Sequence, residues 1–258
     1  YKREKEKFIQ SPESTTNYSY FMAETMYSGK IKERDLLVLD EAHNLEETLS
    51  RFIEVSISER FAGELGLSFP VSKDEDDIIK WIRTDYLNAV KTKIIELGTL
   101  IGAMKGSASS SSAAINDQFK NVSKQHTTLD KHMCKINRFL EMWSSDNWVL
   151  DIVQSPERAS RKIEFKPVDV GPYSDELLFK FGKYVLMMSA SIVNKDVFCK
   201  SLGLDPSQVE FLSIDSPFPI ENRPVIYAPV GDMSASSIDE TLPKLVEMIK
   251  LILEQHKG

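Results

Sequence analysis

Four absences narrow the choices before any motif is read. No apolar run approaches the roughly 18 residues that a membrane-spanning helix needs. The longest candidate, Leu245–Leu253 (LVEMIKLIL), is short and carries charges. Cysteine is scarce: Cys134 and Cys199 are far apart and lack metal-ligand spacing. That excludes a disulfide framework and points to a reducing compartment, with both thiols buried or idle. A basic surplus is missing too, since 39 acidic residues face 32 Lys and Arg, a net charge of -7. Nucleic acid is therefore not bound by the whole surface, and any contact with it is local. Finally, no Gly-rich loop ends in Lys-Ser or Lys-Thr, so the chain brings no phosphate cradle of that kind. The opening, YKREKEKF, has neither an initiator Met nor an apolar stretch behind it. It reads as the interior of a longer polypeptide rather than a signal peptide.

What is present is ordinary for a globular protein: 258 residues, 41% apolar and 28% charged, enough for one large domain or two or three modest ones. Residues 1 to 13 are charged and read as a helix ending at Ser11-Pro12. STTNYSYFMAETM begins β-like and then takes helical spacing, broken at Ser28-Gly29. DLLVLDEA is a strand, and its unbroken apolar run predicts cover on both faces. NLEETLSRF begins a helix. Ser72 with Glu75 makes a capping box. Ile79, Ile82, Tyr86, Val90, Ile94, Leu97 and Ile101 then follow at spacings of three and four, predicting one helix over about 73–104. The low-complexity segment 106–114 interrupts. A second helix over about 116–144 follows, making an antiparallel hairpin. His126 and His132, six apart, lie off one face and do not suit a metal.

NWVLDIVQ and SRKIEFKPV read as two strands joined by SPERA. ELLFKFG reads as a short helix ending at Gly182. KYVLMMSASI is a second apolar strand, and NKDVFCKSLG a capped helix closed by Gly203. From SPFPIENRPVIYAPV onward a further unit begins: one strand, a polar loop and a final helix over about 239–256.

The chemistry sits at the ends of the two apolar strands. Nucleotide-hydrolysing α/β proteins place an Asp at the carboxyl end of a buried strand, where it holds Mg²⁺ through water, and a second carboxylate orients the attacking water. Asp40 and Glu41 suit those roles, with Ala42 and His43 turning back over them. The same four letters serve equally well as the acidic start of a surface helix. Ser189-Ala190-Ser191 ends the second strand; its hydroxyls can bond a neighbouring carboxylate or imidazole, or simply make a strand-to-helix turn. One parallel sheet with a helical insertion is the economical architecture.

Asp-Glu-Ala-His with Ser-Ala-Ser resembles motifs II and III of superfamily 2 helicases. Four more features narrow the resemblance to the XPD/DinG-like iron–sulfur DNA helicases. These are Thr16-Asn17-Tyr18 before the DEAH strand, a helical "arch" between the two motifs, the return segment FKPVDVGPYSDELLF, and Ser216–Pro219 with Asn222-Arg223 opening a second motor domain. The resemblance implies an α/β fold: a partial RecA-like motor domain with a parallel sheet, a mainly α-helical arch insertion, and the start of a second RecA-like domain. The implied divisions are 1–50, 51–166, 167–203 and 204–258.

It further implies an ATP-dependent 5′–3′ helicase acting on single-stranded and forked DNA, with DNA repair as its setting. Such a protein works in the cytoplasm of a prokaryote or the nucleus of a eukaryote. Asp40 would hold Mg²⁺ of Mg-ATP, Glu41 would position water, and His43 would relay the γ-phosphate state. Ser189, Ala190 and Ser191 would couple hydrolysis to DNA movement, and Thr16, Asn17 and Tyr18 would touch the strand. In the arch, Arg83, Lys91, Lys93, Lys120 and Lys124 are available for phosphates, and a protein partner can also dock there. The departures are as plain. The phosphate loop, the four cysteines of a 4Fe-4S cluster and the later arginine motifs do not occur in these 258 residues, so the chain alone should neither hydrolyse ATP nor unwind DNA. The alternative is a non-catalytic module in which the arch docks a protein or single-stranded DNA and residues 50 to 165 fold alone.

Overall fold

The computed structural model describes residues 2–106, 113–154, 160–217, 219, 221 and 225–256. The Ser-rich 106–114 segment falls largely outside them, as do the SPERA connection and Asn222-Arg223. The chain divides into two compact units, Tyr1–Glu210 and Phe211–Gly258.

The first unit opens with α1 (Lys2–Gln10) and α2 (Tyr18–Tyr27). Asn17 starts α2: its side-chain oxygen accepts from the Tyr20 N–H at 2.8 Å, satisfying a donor the helix cannot. Strand β1 (Arg34–Leu39) follows, then a 3-10 turn (Ala42–Asn44) and α3 (Leu45–Ile53). Leu45, Leu49 and Ile53 recur every fourth residue and are buried as one stripe. Next come β2 (Val55–Ser58) and α4 (Glu59–Glu64), neither of which the sequence pattern announced. The hairpin is built from α5 (Glu75–Trp81), a π-helical turn (Ile82–Tyr86), α6 (Leu87–Gly106) and α7 (Ala113–Glu141). The remaining elements are β3 (Trp148–Gln154), β4 (Arg161–Pro167), α8 (Gly171–Leu177), a 3-10 turn (Phe179–Phe181), β5 (Gly182–Met187), α9 (Lys195–Ser201) and a further such turn (Pro206–Gln208).

Two sheets form. β1 and β5 pair in parallel, with Leu36 opposite Tyr184 and Leu39 opposite Met187. β2, β4 and β3 make an antiparallel sheet in that order. The class is α/β, and the 51–166 segment carries this three-stranded sheet beside its helices. No helix among the described residues is long and apolar enough to cross a membrane.

Several expectations are corrected. β1 is covered on one face only: the cross-strand pairs Leu36–Tyr184 and Val38–Leu186 stay 47–66% exposed. Leu37, Leu39, Val185 and Met187 instead meet the core. The helix cap is Asp74, which accepts from the Asp76 and Asp77 N–H groups, while Ser72 bonds the Asp77 carboxylate. Asp74 wins because it sits directly before the first helical residue. The predicted 73–104 helix contains a π turn, so its stripe is reset by one residue at 82–86. ELLFKFG is not one helix: α8 begins earlier, at Gly171-Pro172, because Pro fits the first helical turn, and ends at Leu177, after which a separate 3-10 turn (Phe179–Phe181) closes at Gly182. Gly171 and Gly203 cross backbone to backbone. A Cβ on Gly203, at φ +70°, would lie 2.6 Å from the Gly171 Cα.

The core is continuous across the hairpin and the strand-bearing segments. Leu39, Ala42 and Leu45 belong to the same buried cluster as Ile82, Tyr86, Ile136 and Phe139. In the second unit the described residues form no strand: Val225, Ile226 and Tyr227 are 82–97% exposed. A strand needs a ladder partner, and that unit supplies none among them. Its helix is α10 (Ile238–Gln255).

His132 is part of the structure of the hairpin. Its Nε2 meets the Tyr86 hydroxyl at 2.8 Å, edge-on to the Phe61 ring. Burial, aided by the Lys135 charge, pushes His132 down to about 4. The unfolded chain therefore takes a proton at this residue first. Stability is full above pH 6.5 or so and falls as pH drops from there toward 4. Urea midpoints measured from pH 7 to pH 5 should decline, and His132→Gln should flatten the decline.

Candidate functional site

The two parallel strands deliver their carboxyl ends side by side. The ladder continues past both strands: Met188 N–H donates to the Leu39 carbonyl at 2.9 Å, and Ala42 N–H to the Met188 carbonyl at 2.9 Å. Residues 40–43 and 188–191 thus leave the sheet at one edge, where open α/β sheets bind ligands.

Asp40 is exposed, and its Oδ1 accepts from the Glu41 N–H at 2.9 Å. Glu41 lies at φ 50°, ψ 43°, a left-handed conformation costly for a residue with a side chain. Among the described residues it alone combines positive φ with a Cβ. Ala42 is fully buried beneath the turn.

This turn brings His43 back toward β5. Its Nδ1 lies 2.8 Å from the Ser189 hydroxyl and 3.4 Å from Glu41 Oε2. The Ser189 oxygen also accepts from the Ser191 N–H at 3.0 Å. Nδ1 can accept from the Ser189 hydroxyl or, carrying a proton, donate to Ser189 or to Glu41, so one ring atom stands between the two loops. Ala190 and Ser191 are exposed beside it.

Tyr18 completes the arrangement from below. Its hydroxyl donates to the Asp40 backbone carbonyl. Burial, then the charges of Asp40 and Glu41, push the phenol up to about 12, so it stays a donor throughout the physiological range. Asn17 is occupied as the α2 cap, and Thr16 is exposed just before it. No sequence signal pairs Tyr18 with Asp40: the residues are 22 apart and on different elements.

A cleft of about 340 Å³ opens beside the turn, with His43, Glu46, Glu47 and Ser50 on one wall and Pro167, Val168 and Val170 on the other. Among the described residues no group of three or more His, Cys, Asp or Glu gathers to hold a metal directly. Of the hairpin cations, Arg83 donates to the Leu140 carbonyl at 3.2 Å, Lys93 pairs with Glu96 and Lys120 with Asp117; Lys91 and Lys124 are exposed. Cys199 is buried and Cys134 exposed.

No protein-family model matches the chain, and no curated protein matches it.

The left-handed Glu41 gives a direct test of strain at the site. Glu41→Gly should raise unfolding stability by about 1 kcal/mol, because glycine takes this conformation freely, and Glu41→Val should lower it by at least as much. Urea titrations of the three chains check both signs. Equal midpoints for all three would show that the turn stores no strain.

Proposed function

We propose that the chain is the central part of an ATP-dependent 5′–3′ DNA helicase of the XPD/DinG-like kind. One observation carries the proposal: at the carboxyl edge of a parallel strand pair, His43 of the Asp40–His43 turn meets Ser189, its Nδ1 2.8 Å from the Ser189 hydroxyl. The two motifs lie on different strands, separated in sequence by the whole hairpin, and a helicase of this class needs them in contact. A surface helix start would not require that contact.

The residues divide the work. Asp40 suits Mg²⁺ held through water, since a single exposed carboxylate fits a cation that keeps most of its hydration shell. Mg²⁺ would supply charge neutralisation at the β and γ phosphates. Glu41, projected from the strained turn, would orient water and accept its proton. His43 would exchange partners between Glu41 and Ser189, passing the state of the nucleotide edge to the β5 loop. Ser191 would follow through its N–H bond to Ser189. Thr16, Asn17, Tyr18, Lys91 and Lys124 are the proposed contacts for single-stranded or forked DNA passing the hairpin; the Asn17 oxygen and the Tyr18 hydroxyl each already make one bond within the chain. A phosphate-binding loop, a 4Fe-4S cluster and the arginine motifs would come from polypeptide outside residues 1–258. A compartment of cytoplasm or nucleus, and a role in repair, belong to the same proposal.

The alternative of a free-standing docking module is less well supported. The hairpin shares one buried cluster with Leu39, Ala42 and Leu45, so residues 50–165 would leave part of that core open when separated.

The test is Glu41→Gln in the full-length gene product. Hydrolysis should fall by roughly 100-fold or more, while ATP affinity stays close to wild type. Normal turnover in that variant would remove Glu41 from the chemistry.

A further inference from the structure

Helix α2 touches the candidate site at one end and the hairpin at the other. At its first residue the Tyr18 hydroxyl donates to the Asp40 carbonyl. At its last, the Tyr27 ring lies 5.2 Å from the Lys131 ammonium of α7, within cation–π reach. Between them Glu24 is 8% exposed. It accepts from Lys5 of α1 at 2.5 Å and from the Ser28 hydroxyl at 2.6 Å. Burial pushes the Glu24 carboxyl up, but those two bonds and the Lys5 and Lys131 charges hold it below its ordinary value. It therefore remains an anion beneath the Lys131 cation.

Around this end of α2 the hairpin is fastened by charge. Arg138 lies about two turns beyond Lys131 on the same helix, pairs with Glu176 of α8 at 2.5 Å and lies over the Tyr173 ring at 5.5 Å. Met26 of α2 joins Arg138 and Phe139 around a small enclosed space.

We propose that Tyr18 is a positioning residue for the Asp40–Glu41 turn, and that α2 carries the state of the hairpin to it from Lys131. A ten-residue helix is a stiff rod of about 15 Å, so a shift at Tyr27 is felt at Tyr18 rather than absorbed between them. Glu41 needs such a support. Its left-handed backbone is held on one side by the Ala42–Met188 bond, and Tyr18 supplies the other hold through the adjoining carbonyl. The hairpin would then bias the geometry of the carboxylates without touching them. The importance of the turn to turnover rests on the helicase proposal; the mechanical link does not.

The two are separated by measuring amide exchange on the full chain by NMR. The Ala42 N–H reports the turn, and the Ile163 and Phe165 amides of β4 serve as the global control. Tyr18→Phe keeps the ring and removes only the hydroxyl. It should speed Ala42 exchange roughly fivefold, with β4 unchanged. Lys131→Ala should speed it roughly twofold, and Lys131→Arg, which keeps a cation over the ring, should restore it. The Tyr18→Phe, Lys131→Ala pair should match Tyr18→Phe alone, since both act through one bond. Unchanged Ala42 exchange in Tyr18→Phe overturns the positioning role. No effect of Lys131→Ala at Ala42, or fully additive effects, overturns the link through α2. In the full-length gene product Tyr18→Phe should lower kcat and leave KM unchanged; lack of turnover in the wild type would count against the helicase proposal and leave the exchange result standing.

Discussion

The parallel ladder between Arg34–Leu39 and Gly182–Met187 is the constraint on which the site depends. A parallel pair cannot be closed by a tight turn; its connection must cross over. Here the connection contains the hairpin and the antiparallel sheet. The ladder therefore does two things at once. It lays the 40–43 and 188–191 loops side by side, and it anchors both ends of everything between. The Met188 and Ala42 amides carry the pairing beyond the strands into the loops themselves. Without those two bonds His43 and Ser189 would have no reason to meet.

Strain and support are arranged around that ladder. Glu41 occupies a backbone conformation that a strand ending in an ordinary turn would avoid. It is held there by the buried Ala42, by the Met188 carbonyl and, one residue back, by Tyr18. The charges in the site are exposed, which keeps them available to solvent and ligand. Beneath them Ala42 is fully buried and Tyr18 half-buried.

Part of this was legible in the sequence. The two apolar strands, the hairpin helices and the start of α9, where the Asn194 side chain accepts from the Val197 N–H at 3.0 Å, each follow from local pattern. The sequence pattern put Asp40, Glu41 and His43 at the end of one strand and Ser189 at the end of another; only the likeness to a helicase family joined the two across the insertion, and the structure lays those ends side by side. What local pattern hid is non-local. β2 is four residues long and is fixed by its pairing to β4, so periodicity could not find it. The exposed face of Leu36 and Val38 is a property of the sheet, and an apolar run alone cannot reveal it. Val225–Tyr227 has strand composition and no partner among the described residues. The resemblance alone makes Tyr18 a candidate nucleic-acid contact; that its hydroxyl also bonds a carbonyl 22 residues away is non-local and has no sequence signal.

ATP turnover by the full-length gene product, measured with and without single-stranded DNA, tests the central claim most directly. A motor of the proposed kind hydrolyses ATP slowly by itself and is strongly stimulated by the strand. Turnover indifferent to DNA, or no turnover from a product that carries its phosphate-binding loop and cluster, would contradict the account.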